Sequence, residues 1–101
     1  MVHAVSAASE ITAAPLAIVD FWATWCGPCQ SAAPHFQRLA ADFPTVAFMK
    51  VDVDDHEDIA AFYGVRTLPT FIILKDGKPV ETVKGFNTAK IVSALNKITG
   101  Q

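Results

Sequence analysis

The residues with the plainest chemistry are two cysteines, Cys26 and Cys29, separated by Gly27 and Pro28 and preceded by Trp25. Residues three apart on a helix bring their Cβ atoms within about 5–6 Å. A disulfide wants about 3.5–4.5 Å. A small local adjustment therefore opens or closes the pair without moving a fold. Gly27 relaxes the backbone in so tight a loop, and Pro28 suits a first helical turn, where its missing N–H has no partner to lose. At a helix N-terminus Cys26 faces unpaired N–H donors and the positive end of the helix dipole, which lowers its pKa. Cys29 points into the turn and is shielded. An exposed thiolate beside a shielded thiol suits thiol–disulfide exchange, with one sulfur attacking and the other resolving. Two plainer readings are weaker. A structural bridge over four residues constrains the unfolded chain little. A zinc site needs four ligands, and His3, His35 and His56 show no paired spacing.

The elements that must hold this pair can be read from apolar spacing. Leu16–Phe21 is a continuous apolar run of strand length, the mark of a strand buried on both faces of a helix-covered sheet. Cys29–Phe43 repeats Ala32, Phe36, Leu39, Ala40 and Phe43 at helical spacing until Pro44 stops it, and Pro34 predicts a kink within it. Val2–Val5 reads as a short edge strand and Ser9–Ala14 as a short helix ended by Pro15. Thr45–Val53 is a second buried strand, and Asp55–Tyr63 a helix with an acidic first turn, ended by Gly64. Thr70–Leu74 and Pro79–Lys84 flank Asp76-Gly77, a hairpin signal. Asn87 caps a last helix bearing Ile91, Leu95 and Ile98 on one face. The order β-α-β-α-β-α-β-β-α predicts an α/β fold with one mixed sheet flanked by helices on both faces.

Composition limits the function. A 101-residue chain that is 51% apolar and 18% charged reads as a single globular domain over residues 1–101. Eight Lys and Arg against ten Asp and Glu leave a net charge of −2 with no basic stripe, which argues against a nucleic-acid partner. No apolar run reaches the length of a membrane span, since Asp20 interrupts the nearest. The first ten residues do not read as a secretory leader, and two adjacent cysteines do not make a disulfide scaffold, so a reducing, cytoplasmic location is expected.

Trp25-Cys-Gly-Pro-Cys29 matches the active-site motif of the thioredoxins residue for residue, and the chain resembles that family from Pro15 onward. The resemblance also rests on Val19-Asp-Phe-Trp-Ala-Thr24, Lys50-Val-Asp-Val-Asp54, Tyr63-Gly-Val-Arg66, Leu68-Pro-Thr-Phe71, Asp76-Gly77 and Gly85. It implies a thioredoxin fold with a central mixed sheet of four to five strands. It implies a protein-disulfide reductant with no bound cofactor beyond the Cys26–Cys29 dithiol/disulfide. Cys26 would be the nucleophile and Cys29 the resolving thiol, reopened by a thioredoxin reductase using NADPH. Ribonucleotide reductase, peroxiredoxin and methionine sulfoxide reductase are the family's kind of target, and a monomer is expected.

Further roles follow from the same resemblance. Asp20 sits where the family keeps a buried aspartate, a proton relay from Cys29 through a water. Its plainer reading is a strand-end carboxylate reaching water. Lys50 resembles the lysine that modulates that aspartate, and reads equally well as a solvated strand-end lysine. X–Pro bonds are mostly trans, but the family keeps a cis proline at Pro69, opposite the cysteines. Trp25, Leu68, Pro69, Gly85 and Phe86 would bind substrate, with the Leu68 backbone pairing to an extended segment. Trp22 reads as packing beneath the loop, and His35 and His56 as surface residues.

Three departures stand out. The segment before Leu16 is short for the family, so the first strand or helix is expected to be trimmed or displaced. Gln30 replaces a common cation after Cys29, which removes a charge favouring thiolate. Phe86 replaces a small residue and enlarges the apolar rim. Rival functions are an oxidase or isomerase of the same fold, whose usual histidine between the cysteines is absent here, and a binding module without turnover.

Overall fold

The computed structural model describes residues 1–100 and is built on the buried strand β2 (Leu16–Trp22). It lies at the centre of a five-stranded sheet ordered β1-β3-β2-β4-β5. β1 (Val2–Ala4) and β3 (Ala47–Asp52) run parallel to β2 on one side. β4 (Thr70–Lys75) and β5 (Lys78–Lys84) run antiparallel on the other. The apolar run of β2, broken only by Asp20, is explained by this position, since both its faces are covered.

On one face α2 (Gly27–Asp42) and α4 (Thr88–Thr99) pack Phe36, Ile91 and Leu95 onto Ile18, Phe48 and Phe71 of the sheet. On the other, α1 (Ala8–Ala13) and α3 (Glu57–Phe62) deliver Ile11 and Ile59 against Val19, Phe21, Val51 and Ile72. Successive strand residues thus supply the two cores alternately. The fold is the expected α/β thioredoxin architecture, with the helices on both faces.

Several boundaries differ from the sequence reading for identifiable reasons. The apolar repeat begins at Cys29, while α2 itself begins at Gly27, with Cys26 as its cap and Pro28 in its first turn, as the sequence placed them. The helix runs through Pro34 to Asp42 without a break. β3 starts at Ala47, two residues later than expected, because Val46 N–H turns back to the Phe43 carbonyl. The short N-terminal segment keeps both of its elements, a three-residue strand one residue shorter than expected and a six-residue helix that starts one residue earlier. Ile11 is fully buried and anchors that helix.

The hairpin follows its Asp-Gly signal. Asp76 and Gly77 both take positive φ, 53° and 78°, as a two-residue turn of this hand requires. A Cβ on Gly77 would stand 3.1 Å from the Thr12 carbonyl oxygen. The turn is thereby pressed onto α1. Asn87 caps α4 as expected, accepting from Lys90 N–H at 3.0 Å.

Phe36 joins the α2 face to the sheet, with its ring 5.0 Å from Phe48 and 5.4 Å from Phe71 between centroids. Phe36→Ala is expected to cost about 3–5 kcal/mol, read as a lower denaturant midpoint at unchanged slope. A loss below about 1 kcal/mol contradicts this packing.

Candidate functional site

β2 ends at Trp22, and buried Ala23 carries the chain out of the sheet. Cys26 N–H donates to the Ala23 carbonyl at 3.2 Å, folding the loop back before the helix begins. Cys26 is the N-cap of α2, and its Sγ accepts from the Cys29 N–H at 3.2 Å. A sulfur in this place takes the capping role usually filled by a hydroxyl or carboxylate oxygen. It lies among the unpaired donors of the helix start. Gln30 does not replace the missing cation. Its Nε2 donates to the Thr24 carbonyl at 3.1 Å and braces the loop instead.

Cys26 and Cys29 are joined as a disulfide with their Cα atoms 5.3 Å apart. The exposure contrast is smaller than expected: Cys26 is 6% exposed and Cys29 3%. Ala23, Trp22 and Leu68 crowd both sulfurs in this closed form. The distinction survives in which residue meets a groove. Cys26 lines an open groove of about 480 Å³ with Trp25, Val53, Val65 and Leu68. A second groove of about 520 Å³ runs along His35, Pro69, Gly85 and Phe86. The two meet at Pro28 and Leu68, and Cys29 lines neither.

The walls of these grooves are fixed by specific contacts. The Leu68–Pro69 bond is cis. The Pro69 carbonyl accepts from Gly85 N–H at 2.8 Å, which ties the two loops together. Gly85 has φ 79°, a conformation glycine takes without penalty. Phe86 is half-buried against Phe71, and His35 lies 5.8 Å from its ring. His35 therefore belongs to a groove wall, a place its isolation in the sequence did not signal. Trp25 is 70% exposed, yet its indole N–H donates to Asp54 Oδ2 at 2.8 Å. Asp54 N–H in turn donates to Asp52 Oδ1 at 3.0 Å. Asp54 was not singled out from sequence, because nothing local links a carboxylate to an indole 29 residues earlier.

Asp20 is 5% exposed, and its Oδ1 has no hydrogen-bond partner. Burial pushes its pKa up to about 7, an effect that the positive charge of Lys50 partly opposes. This excludes the reading of Asp20 as a carboxylate reaching water. Lys50 is exposed, stands in register with Asp20 across β2 and β3, and places its Nζ 5.3 Å from the Trp22 ring centroid. Trp22 packs beneath the loop, as its sequence position suggested. Among the described residues no cluster of His, Cys, Asp and Glu could hold a metal ion, and no helix is long and apolar enough to cross a membrane.

A family model for thioredoxin matches residues 3–97. The chain belongs to the thioredoxin family. It is 46% identical over 80 residues to a Mycoplasma genitalium thioredoxin, covering 78% of each chain. It is also similar to the X-ray structure of Fasciola hepatica thioredoxin, with TM-score 0.88 and 38% identity over 95% of this chain and 98% of that one. A third similar chain, with TM-score 0.89 and 31% identity over 95% and 94%, comes from a structural study of thiol resolution in yeast mitochondrial 1-Cys peroxiredoxin by the glutathione and thioredoxin systems. This thioredoxin is a thiol–disulfide oxidoreductase, a protein-disulfide reductant whose redox centre is the Cys26–Cys29 pair and which needs no cofactor.

The burial of Asp20 has a measurable consequence. The ordinary carboxyl value is 3.8 and the folded value about 7. Below the first, both states hold the proton. As pH rises from about 4 to about 7 the unfolded chain releases it first, so stability falls until the folded carboxyl also ionises. Asp20→Asn removes that loss. The variant is expected to match the parent near pH 4 and exceed its stability by on the order of 4 kcal/mol at pH 8, read from denaturant unfolding of the oxidised protein. Equal stability of the two at pH 8 contradicts the burial argument.

Proposed function

We propose that Cys26 is the attacking sulfur and Cys29 the resolving one, within a single thioredoxin domain spanning residues 1–101. The observation that carries this reading is the sulfur of Cys26 capping α2 while its residue lines the open groove. In the reduced protein the Cys26 thiolate attacks one sulfur of a substrate disulfide. A Cys26–substrate disulfide forms, and the other substrate sulfur leaves as a thiolate and takes a proton. The Cys29 thiol then loses its proton, and its sulfur attacks Cys26 Sγ. The intramolecular disulfide forms, and the substrate departs carrying two electrons and, after protonation, two thiols.

Asp20 is the acceptor for the Cys29 proton, through a water, in this scheme. Its support is a carboxyl held near neutrality with an oxygen that lacks a protein partner. Lys50 modulates that carboxyl by its charge. Trp25, Leu68, Pro69, Gly85 and Phe86 receive the substrate, with Gly27 and Pro28 shaping the loop between the sulfurs. An extended segment laid over Leu68 would pair with its backbone in strand fashion, since Pro69 has no N–H to compete.

The closed form is returned to the dithiol by a thioredoxin reductase using NADPH. Suitable substrates are the disulfides of ribonucleotide reductase, methionine sulfoxide reductase and peroxiredoxin, the last favoured by the similar chain from a peroxiredoxin system. The protein acts as a monomer in the cytoplasm.

Two variants test the assignment. Cys29→Ser is expected to accumulate mixed disulfides on Cys26 with client proteins, seen as reducible adducts by mass spectrometry. Cys26→Ser is expected to abolish disulfide reduction altogether, and retained activity would mark a binding module. Asp20→Asn is expected to leave adduct formation intact and slow their release roughly 100-fold. An unchanged release rate removes Asp20 from the scheme.

A further inference from the structure

Asp20 and Trp22 are two residues apart on β2 and share the face covered by α2. Lys50 stands directly across from Asp20 on β3, and Asp52 directly across from Trp22. The four side chains form one square of neighbours on the sheet. The Lys50 ammonium sits on a flexible four-carbon stem that is free to swing into water. No ion pair holds it among the described residues. What it meets is the Trp22 ring, 5.3 Å away at the centroid and within the range of a cation–π contact. Trp22 is itself fixed, half-buried and packed against Ala23, Cys26 and Cys29.

We propose that Trp22 is a positioning residue for Lys50: its ring holds the ammonium beside the Asp20 carboxyl and so sets the charge that the carboxyl feels. The inference deepens the reading of Asp20 given above, on which its relevance to turnover rests. The other charged or titratable groups around Asp20 are few. β3 adds Asp52, whose Oδ1 is already engaged by the Asp54 N–H. α2 adds the cysteine pair at its start. β4 places Phe71 against Asp20, and α4 presents Ile91, Ala94 and Leu95 to this face. Among the described residues Lys50 is therefore the one cation in position to favour the ionised carboxyl, and a ring that restrains it controls how strongly it does so.

The test is a carbon-13 NMR titration of the Asp20 carboxyl in the oxidised protein, which reads the resting molecule and not turnover. Trp22→Leu is expected to raise the midpoint by roughly half a pH unit. Trp22→Phe, which keeps an aromatic face, is expected to move it less. With Lys50→Met already present, Trp22→Leu is expected to add nothing. An equal shift in both backgrounds shows that Trp22 acts by packing alone and overturns the proposal, as does no shift in either. Should the leucine variant fail to fold, the unaltered protein decides. Lys50 ε-methylene protons shifted upfield by the indole ring current support the contact, and unshifted protons overturn it. None of these outcomes depends on whether Asp20 carries the catalytic proton, which the release rate of Asp20→Asn tests separately.

Discussion

The structure turns on one capping contact. The first turn of any α-helix has N–H groups without helical partners, and here a sulfur meets them. The Cys29 N–H donates to Cys26 Sγ, so the backbone that brings the two cysteines together also aims a hydrogen-bond donor at one of them. Everything else serves to hold that geometry. β2, buried on both sides, fixes where the loop leaves the sheet. The aromatic contacts of Phe36 with Phe48 and Phe71 fix the angle at which α2 stands over it. The Ala23 carbonyl and the Gln30 amide fasten the loop from either end.

The two cysteines are distinguished by surroundings more than by exposure. In the disulfide form both are nearly enclosed. One borders an open groove, while the other lines none and lies with the buried carboxyl on the same side of the sheet. A carboxyl that titrates near neutrality is costly to keep ionised inside a protein. This molecule tolerates that cost beneath its redox centre and offsets part of it with Lys50.

Much of this was legible in the sequence, and the reasons are physical. Periodicity revealed β2 and α2 because burial on two faces and on one face leave different apolar patterns. Asp76-Gly77 revealed its hairpin because few residue pairs accept two positive φ angles. The cysteine pair declared itself through its spacing together with its place where a buried strand hands over to a helix. The partners of Trp25 and His35 and the contact of Lys50 with the Trp22 ring were not legible, because each joins two different elements and no local rule reports such a contact. The near-equal burial of the two sulfurs was also hidden. It depends on how Trp22 and Leu68 close around the loop, which is a matter of tertiary packing. The apolar repeat of α2 becomes visible only from Cys29, because Gly27 and Pro28 add no apolar side chain to it; the cysteine pair itself placed Cys26 at the helix start.

The bond from the Trp25 indole to Asp54 joins a residue of the reactive loop to the loop that follows β3. The most exposed aromatic wall of the groove therefore takes its orientation from a segment that holds neither cysteine. Substitutions after β3 therefore alter a groove wall while leaving the two sulfurs untouched, so the shape of the groove and the chemistry beside it are free to diverge separately in descendants of this chain.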